Sequence, residues 1–151
     1  MADRLTPEQR SANMRRIRAT DTGPERQVRA IVHRLGFRFR CYSGRLPGKP
    51  DIVLKRHRVA IFVHGCFWHR HPNCRYATTP GTRTDWWLAK FASNVRRDRA
   101  VRGALRALQW TVITVWECEL RKPDGLARRL KRLLTAAKVG RERLRPGANS
   151  H

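Results

Sequence analysis

The chain is poor in acidic side chains, with 11 Asp and Glu against 34 Lys and Arg in 151 residues. The resulting net charge of +23 is spread along the whole chain, so it is not confined to a tail. A field of this sign concentrates polyanions and makes their binding salt-dependent. We therefore expect nucleic acid as the partner, with an anionic membrane surface as the alternative. No segment approaches the ~20 apolar residues of a membrane span, so we expect no insertion into a membrane.

The chain also lacks a recognisable signal segment, because its first residues, MADRLTPEQR, contain no apolar stretch. This predicts an intracellular, cytoplasmic protein whose thiols stay reduced. The four cysteines could form two disulfides, but clustered Cys and His in a reducing compartment more often bind metal.

The length predicts one domain with its own hydrophobic core. Helices are predicted at 6–17, 22–35 and 84–108, with a terminal helix marked by Leu126, Leu130, Leu133 and Leu134, and strands at 37–42, 51–54, 59–64 and 110–116. Thr84 is expected to cap the long helix, whose buried face is predicted to contain Leu88, Phe91, Val95, Val101, Leu105 and Leu108. The order α-α-β-β-β-α-β-α predicts an α/β domain with a mixed sheet covered by helices.

Three segments are distinguished by their composition. Residues 1–20 form a basic arm whose predicted helix has a lone apolar Met14 and almost no other apolar face, so it is either a frayed surface helix or an arm that orders on nucleic acid. Residues 21–138 contain the patterned domain. Residues 139–151 are basic and unpatterned, and we expect them to be disordered.

A first chemical cluster consists of three cysteines and one histidine: Cys66, His71, Cys74 and Cys118. Thiolates and imidazole suit tetrahedral zinc, and four protein ligands would close the site and make it structural. The alternative is that the cysteines are small core residues and His71 lies on the surface. Cys41, in a strand at a core-facing position, is left out of the cluster, which makes the ligand count an inference.

A second cluster is predicted where two neighbouring strands begin and end. Asp51 opens one strand and His64 ends its hairpin partner, so the two can approach each other across the sheet. A carboxylate for a hard divalent cation and a nearby His, either His64 or His69, are what phosphodiester hydrolysis needs. Asp51 could equally form a turn after Pro50, and Glu25 could merely complement a helix N-terminus.

Two pairs of adjacent aromatic residues, Phe67-Trp68 and Trp86-Trp87, lie near basic residues. Bulky exposed side chains can wedge between base pairs and unstack them. At least one residue of each pair is expected to belong to the core instead.

These motifs together resemble one family. The run Pro47-Gly48-Lys49-Pro50-Asp51 and the run Ile61 to His71 resemble the very-short-patch repair (Vsr) DNA mismatch endonucleases. Further matching residues are Arg10 to Arg15, Thr82-Arg83-Thr84 with Trp87, Asn94 to Asp98, and Val115-Trp116-Glu117-Cys118. The resemblance covers roughly residues 8 to 135.

The resemblance implies a fold related to type II restriction endonucleases and Mg²⁺-dependent nicking of double-stranded DNA. The nick falls 5′ of the thymine in T:G mismatches, which arise when 5-methylcytosine deaminates. By position, Asp51 and the main-chain carbonyl of Val63 bind Mg²⁺, His69 is the general base, His64 assists at the scissile phosphate, and Glu25 supports the water network around the metal. The four-residue Cys and His cluster corresponds to the family's structural zinc site.

The resemblance also assigns the contacts with DNA. Phe67, Trp68 and Trp87 intercalate from the major groove and Met14 from the minor groove, while Lys90 and Asn94 are further DNA contacts. We expect a monomer that acts at the bacterial nucleoid, with a mismatch-repair accessory protein as a possible partner. The alternatives are a zinc-stabilised DNA-binding protein without catalysis, and a restriction-type endonuclease that cuts both strands of matched DNA. The flanking sequence and the number of Mg²⁺ ions stay open.

Overall fold

A computed structural model describes residues 22–41 and 44–144 of the chain. Its helices are α1 (Gly23–Arg34), α2 (Thr84–Ala107) and α3 (Pro123–Leu144), and its strands are β1 (Arg40–Cys41), β2 (Ile52–Leu54), β3 (Val59–His64) and β4 (Thr111–Trp116). Two short 3-10 helices cover Lys55–His57 and Glu117–Arg121. The predicted helix at 6–17, with Met14, and the last residues of the basic tail lie outside the described residues.

The strands form one mixed sheet in the order β1-β2-β3-β4. β2 and β3 form the predicted antiparallel hairpin, and β3 pairs in parallel with β4 after the crossover through α2. β1 begins three residues later than the strand predicted at 37–42, whose last residue lies outside the described residues. It pairs only with the short β2, which ends at Leu54 and leads into a 3-10 helix, so Phe37 and Arg38 have no strand residue opposite them.

Helices cover both faces of this sheet, which confirms the predicted α/β class with a mixed sheet. α1 and α3 pack on the face that carries Val59 and Ile61, and they bury apolar side chains there, including Val28, Ile31, Val32, Leu126, Leu130 and Leu134. α2 packs on the opposite face, where Leu105 meets Ala60 and Phe62. Of the helices in the described part of the chain, none combines the length and the apolar composition required to cross a bilayer.

The buried face of α2 differs from the one predicted. Leu88 and Leu108 are 50% and 51% exposed. The inward side chains recur instead at steps of three and four residues: Trp87, Phe91, Asn94, Asp98, Val101 and Leu105. Phe91, Val101 and Leu105 were predicted correctly and Val95 is partly buried, so the prediction was wrong only at Leu88 and Leu108. Asn94 and Asp98 are polar, which is why apolar periodicity did not predict them on this face.

The ends of two helices also correct the predictions. Arg83 rather than Thr84 is the N-cap of α2, and the Thr84 hydroxyl donates to the carbonyl oxygens of Pro80 and Gly81. α3 continues to Leu144, beyond residue 139, where disorder was expected. The added turn contains good helix formers such as Arg141, Glu142 and Leu144, which continue a helix without needing a core.

Candidate active site

A cleft of about 1020 Å³ opens at the carboxyl end of β3. It is lined by the carboxylates and imidazoles predicted to carry out hydrolysis, Glu25, Asp51, His64 and His69, together with Val63 and Asp98. β2 and β3 bring Asp51 and Val63 to this end of the sheet, α1 brings Glu25, and α2 brings Asp98. The structure therefore joins residues from four elements in one cleft.

Asp51 lies directly before β2, and the N–H of Val63 donates to its Oδ2 at 2.7 Å. Burial raises the pKa of Asp51 from 3.8 to about 7, against the lowering effect of the Val63 hydrogen bond. The carboxyl group of Glu25, itself 4% exposed, raises this pKa further through charge and a side-chain hydrogen bond. A buried and a partly buried carboxyl group within hydrogen-bond distance of each other favour a bound cation that would neutralise them.

The carbonyl of Val63 is available at the same place. In an antiparallel ladder the N–H and C=O of one residue point to the same neighbouring strand, and the Val63 N–H points to Asp51. The register pairs Ile52 with Ile61, and its continuation brings Pro50 opposite Val63. Because proline has no N–H, the Val63 carbonyl receives no ladder hydrogen bond from that position. Carboxylate and carbonyl oxygens are the donors that Mg²⁺ prefers, so these residues fit the predicted cation.

His69 is oriented by a carboxylate that sequence analysis did not assign to the site. Its Nδ1 lies 2.7 Å from Oδ2 of Asp98, and their side chains are 27% and 14% exposed. This contact holds the proton on Nδ1 of a neutral imidazole and leaves Nε2 free to accept one. The pair therefore has the arrangement of an oriented general base.

His64 packs flat against His69, with ring centroids 3.8 Å apart and an interplanar angle of 5°. Burial, followed by the charge of His69, lowers the pKa of His64 to about 4, so this imidazole is neutral near pH 7. Its Nδ1 is buried without a hydrogen-bond partner among the described residues. A buried polar atom without a partner is costly, and here it lies in a cleft that could accept a polar ligand.

The four predicted zinc ligands, three thiols and one imidazole, lie close together in the structure. One ligand atom each from Cys66, His71, Cys74 and Cys118 lies within 4.8 Å of the others, and Cys118 Sγ is 3.4 Å from His71 Nδ1. Atoms around a tetrahedral zinc ion lie roughly 3.3–3.8 Å apart, since the bonds are about 2.0–2.3 Å long. The cluster could thus hold a metal ion.

Metal binding would require these thiols to lose their protons. Burial raises the pKa of the Cys66 thiol to about 12, and burial also raises that of Cys118. Thiolates are the form that binds metal, so a cation must displace these protons. Stacking of the His71 ring on Trp116, at 4.3 Å, fixes the imidazole of this cluster.

The predicted wedge residues form one aromatic cluster. Phe67 contacts Trp68, Trp87 and Phe91 with ring centroids 5.1–5.5 Å apart. Arg70 packs against this cluster, with its guanidinium 3.9 Å from the Phe91 ring centroid. The same guanidinium donates to the carbonyls of Phe67, Ala77 and Thr78. Phe67, Trp68 and Trp87 are only partly buried, which leaves part of each available to a ligand.

The two other predicted DNA contacts lie on α2. Lys90 is exposed, as a phosphate contact requires. Asn94, predicted to face DNA, is instead 5% exposed; its Nδ2 donates to the carbonyl of Trp68 and its Oδ1 accepts from Arg97. In this structure the side chain of Asn94 thus holds the main chain at Trp68. Its contact with DNA stays a prediction.

Sequence analysis missed the roles of Asp98 and Arg70. From the sequence, Asp98 lies close to the apolar stripe of a helix. That position was the available sign of a buried contact, but the actual partner, His69, is 29 residues away. For Arg70, only its place between His69 and His71 set it apart from the many other arginines.

The chain is similar to known proteins that are described as mismatch endonucleases or nicking enzymes. The family model described as DNA mismatch endonuclease Vsr matches residues 2–75. The "Type II nicking enzyme V.XorIIP" of Xanthomonas oryzae pv. oryzae is 45% identical over 89% of this chain and 98% of its own. The "DNA mismatch endonuclease Vsr" of Escherichia coli is 45% identical over 83% and 80%, and the "Type II nicking enzyme V.NmeAIP" of Neisseria meningitidis is 40% identical over 91% and 98%.

Proposed function

We propose that this chain, which belongs to the DNA mismatch endonuclease Vsr family, nicks double-stranded DNA 5′ of the thymine in T:G mismatches. As a member of this family, the chain is a DNA endonuclease. Its specificity for the mismatch, the strand that it nicks and the metals that it binds are what we propose. The origin of such mismatches is deamination of 5-methylcytosine. The observation that carries the proposal is the His69–Asp98 pair, at 2.7 Å, in the same cleft as Asp51.

In the proposed reaction, His69 Nε2 takes a proton from a water molecule because Nδ1 is held by Asp98. The water oxygen bonds to phosphorus, and the bond from phosphorus to the leaving sugar oxygen breaks. That oxygen then takes a proton from solvent. His64, neutral and with an Nδ1 that has no hydrogen-bond partner in the described part of the chain, would hydrogen-bond the phosphate.

Asp51 and the carbonyl of Val63 would hold Mg²⁺, and Glu25, beside Asp51, would orient water near it. When bound, the ion would supply charge neutralisation at the phosphate and a lower pKa for nearby water. The side chain at position 63 should matter little, since the proposed contact uses the backbone.

Phe67, Trp68 and Trp87 would enter the base stack at the mismatch, where stacking is already weak. Such wedges cost a few kcal/mol of unstacking per step, so a mispaired site is a better substrate than matched DNA. Lys90 would contact phosphate, Asn94 would keep Trp68 in place and could contact a base, and Met14 would insert from the minor groove. The basic surface supplies the salt-dependent attraction to DNA.

We further propose that Cys66, His71, Cys74 and Cys118 bind structural Zn²⁺. Their soft donors and mutual distances favour zinc, and the loop between β3 and α2 contributes little apolar core of its own. Kinship with the type II restriction endonuclease fold, action as a monomer, and stimulation by a mismatch-repair accessory protein are predictions that rest on the resemblance.

The test is a nicking assay with end-labelled duplexes that each contain one T:G mismatch in varied flanking sequence. Matched T:A duplexes are the control substrates, and each reaction is run with Mg²⁺ or with EDTA. We expect one Mg²⁺-dependent nick 5′ of the mispaired thymine, in a subset of flanking sequences that would define the site recognised.

Two results would contradict the proposal. Tight, salt-sensitive binding without a nick in any context would indicate a DNA-binding protein without catalysis. Cutting of both strands of the matched duplexes would indicate a restriction-type enzyme.

A further inference from the structure

Arg102, on α2, is a cation in the cleft to which neither the resemblance nor the proposed reaction gives a role. It lines the cleft together with His64, His69 and Asp98. It follows Asp98 by four residues, so the two side chains lie on the same face of the helix, one turn apart. The charges of Asp98 and Arg102 both act on the His64 ring.

Arg102 differs from the other cations of the cleft in its surroundings. Lys49 is exposed on the loop before Asp51, and the guanidinium of Arg97 donates to Asn94. Arg102 is half-buried, and within residues 22–41 and 44–144 its guanidinium has no hydrogen-bond acceptor or carboxylate partner. A partly desolvated charge is usually paired, so an arginine held in this way favours an anionic ligand.

The neighbouring turn of α2 explains how this position is fixed. Gly48 has a φ of +73°, and a Cβ there would overlap the side chain of Val101, so the loop before Asp51 packs directly on α2. Asp98 holds His69 one turn earlier. Three nearby positions of one rigid helix therefore set the Asp51 loop, the general base and Arg102 relative to one another.

We propose that Arg102 binds the phosphate that is cleaved and stabilises the negative charge that develops on it during attack. A guanidinium offers a rigid fork of donors that matches two phosphate oxygens at once. This inference rests on the proposed function, because the cleft must receive a phosphodiester. It makes Arg102 a catalytic residue through its direct contact with the reacting group.

The experiment compares wild type, Arg102→Ala and Arg102→Lys on the T:G duplex that wild type nicks best. Single-turnover rates at saturating enzyme, the Kd for the same duplex, and thermal melting are measured for each protein. The matched control is Arg99→Ala, which removes an exposed arginine from the same helix.

We expect Arg102→Ala to lower the saturated rate by about 10²-fold, while the Kd changes by less than about threefold and melting is unchanged. Arg102→Lys should recover part of the rate, and added guanidinium ion should partly restore Arg102→Ala, whereas sodium at equal ionic strength should not. Arg99→Ala should keep the wild-type rate.

Three outcomes would overturn the inference. An unchanged saturated rate would show that the phosphate is bound elsewhere. A loss confined to Kd would make Arg102 a contact to a neighbouring phosphate. A lower melting temperature, without rescue by lysine or guanidinium, would make it structural. If wild type nicked no mismatched duplex, the proposed function itself would fail, which is a different result from any of these.

Discussion

Two polar clusters follow β3 along the chain, and they differ in chemistry although their residues are interleaved. His64 and His69 face the cleft with Asp51, whereas Cys66 and His71 face Cys74 and Cys118. The first, the cleft cluster, combines oxygen and imidazole donors. The second, the thiol cluster, has three thiols and one imidazole.

The difference shows how one short segment can serve two purposes. The thiol cluster joins the loop after β3 to the 3-10 helix that follows β4, because Cys118 lies 3.4 Å from His71. The cleft cluster contains one buried atom, His64 Nδ1, that has no hydrogen-bond partner within residues 22–41 and 44–144. A metal in the thiol cluster would be coordinated by all four side chains and would rigidify the loop. The cleft would keep open positions for substrate and solvent.

The largest expected effect is that of Asp51→Asn. It removes the charged oxygen ligand of the proposed Mg²⁺ site and should abolish nicking of the T:G duplex, while binding and bound zinc stay at wild-type levels. The measurements are the nicking rate, the Kd for DNA and the zinc content. Loss of zinc or of the fold would show that the two clusters are not independent.

The second prediction compares two histidines two positions apart. His69→Ala should lower the nicking rate by about 10²–10⁴-fold, the contribution of a general base, without loss of zinc. His71→Ala should lose zinc and melt at a lower temperature. His33→Ala, at an exposed position on α1, is the control and should change neither quantity. Zinc loss in His69→Ala would contradict the division between the clusters.

Asp98→Asn tests the orientation of the base and should have a smaller effect, about 10²-fold on the nicking rate. The asparagine amide can donate to His69 Nδ1, which would shift the imidazole proton to Nε2 and block acceptance there. Melting and zinc content should match wild type. A wild-type rate would show that Asp98 does not set the tautomer.

The double variant Phe67→Ala, Trp68→Ala should reduce the preference for mismatched over matched duplexes by about tenfold or more, because base–aromatic stacking contributes about 1–3 kcal/mol per base. The comparison requires nicking rates on T:G and T:A duplexes of the same sequence. An unchanged preference would exclude these side chains as the source of mismatch selection. Leu88→Ala, at an exposed apolar residue of α2, is the control.

The last expected effect concerns stability and its dependence on pH rather than nicking. Burial raises the pKa of Asp51 to about 7 in the folded chain, above its ordinary value of 3.8. The folded state therefore binds the extra proton, and the stability of metal-free protein should fall as pH rises from about 4 to 7. Asp51→Asn should flatten this dependence and stabilise the metal-free protein at pH 8 by roughly 2–4 kcal/mol. Melting curves in magnesium-free buffer measure it, and a destabilised Asp51→Asn would contradict the assigned shift.

The hairpin of β2 and β3 could be predicted from sequence because its signals are local. Val59 to Val63 form a continuous apolar run, and a short basic turn precedes it. The thiol cluster was also predictable. Few residue types bind soft metals, and the chain has only four cysteines and six histidines.

The inward face of α2 could not be predicted in the same way. Asn94 and Asp98 point inward because Trp68 and His69, 26 and 29 residues earlier, supply their hydrogen bonds. A polar residue in a helix gives no local sign of such a partner. The same reason explains Arg70, whose acceptors are three loop carbonyls and the hydroxyl of Thr79.

The most direct test of the two-cluster account is to measure zinc content and nicking on one preparation exchanged into magnesium-free buffer. We predict about one zinc per chain and no nicking of the T:G duplex until Mg²⁺ is added. Nicking without Mg²⁺, or full Mg²⁺-dependent nicking by protein that contains no zinc, would contradict the separation of a structural thiol cluster from a catalytic cleft.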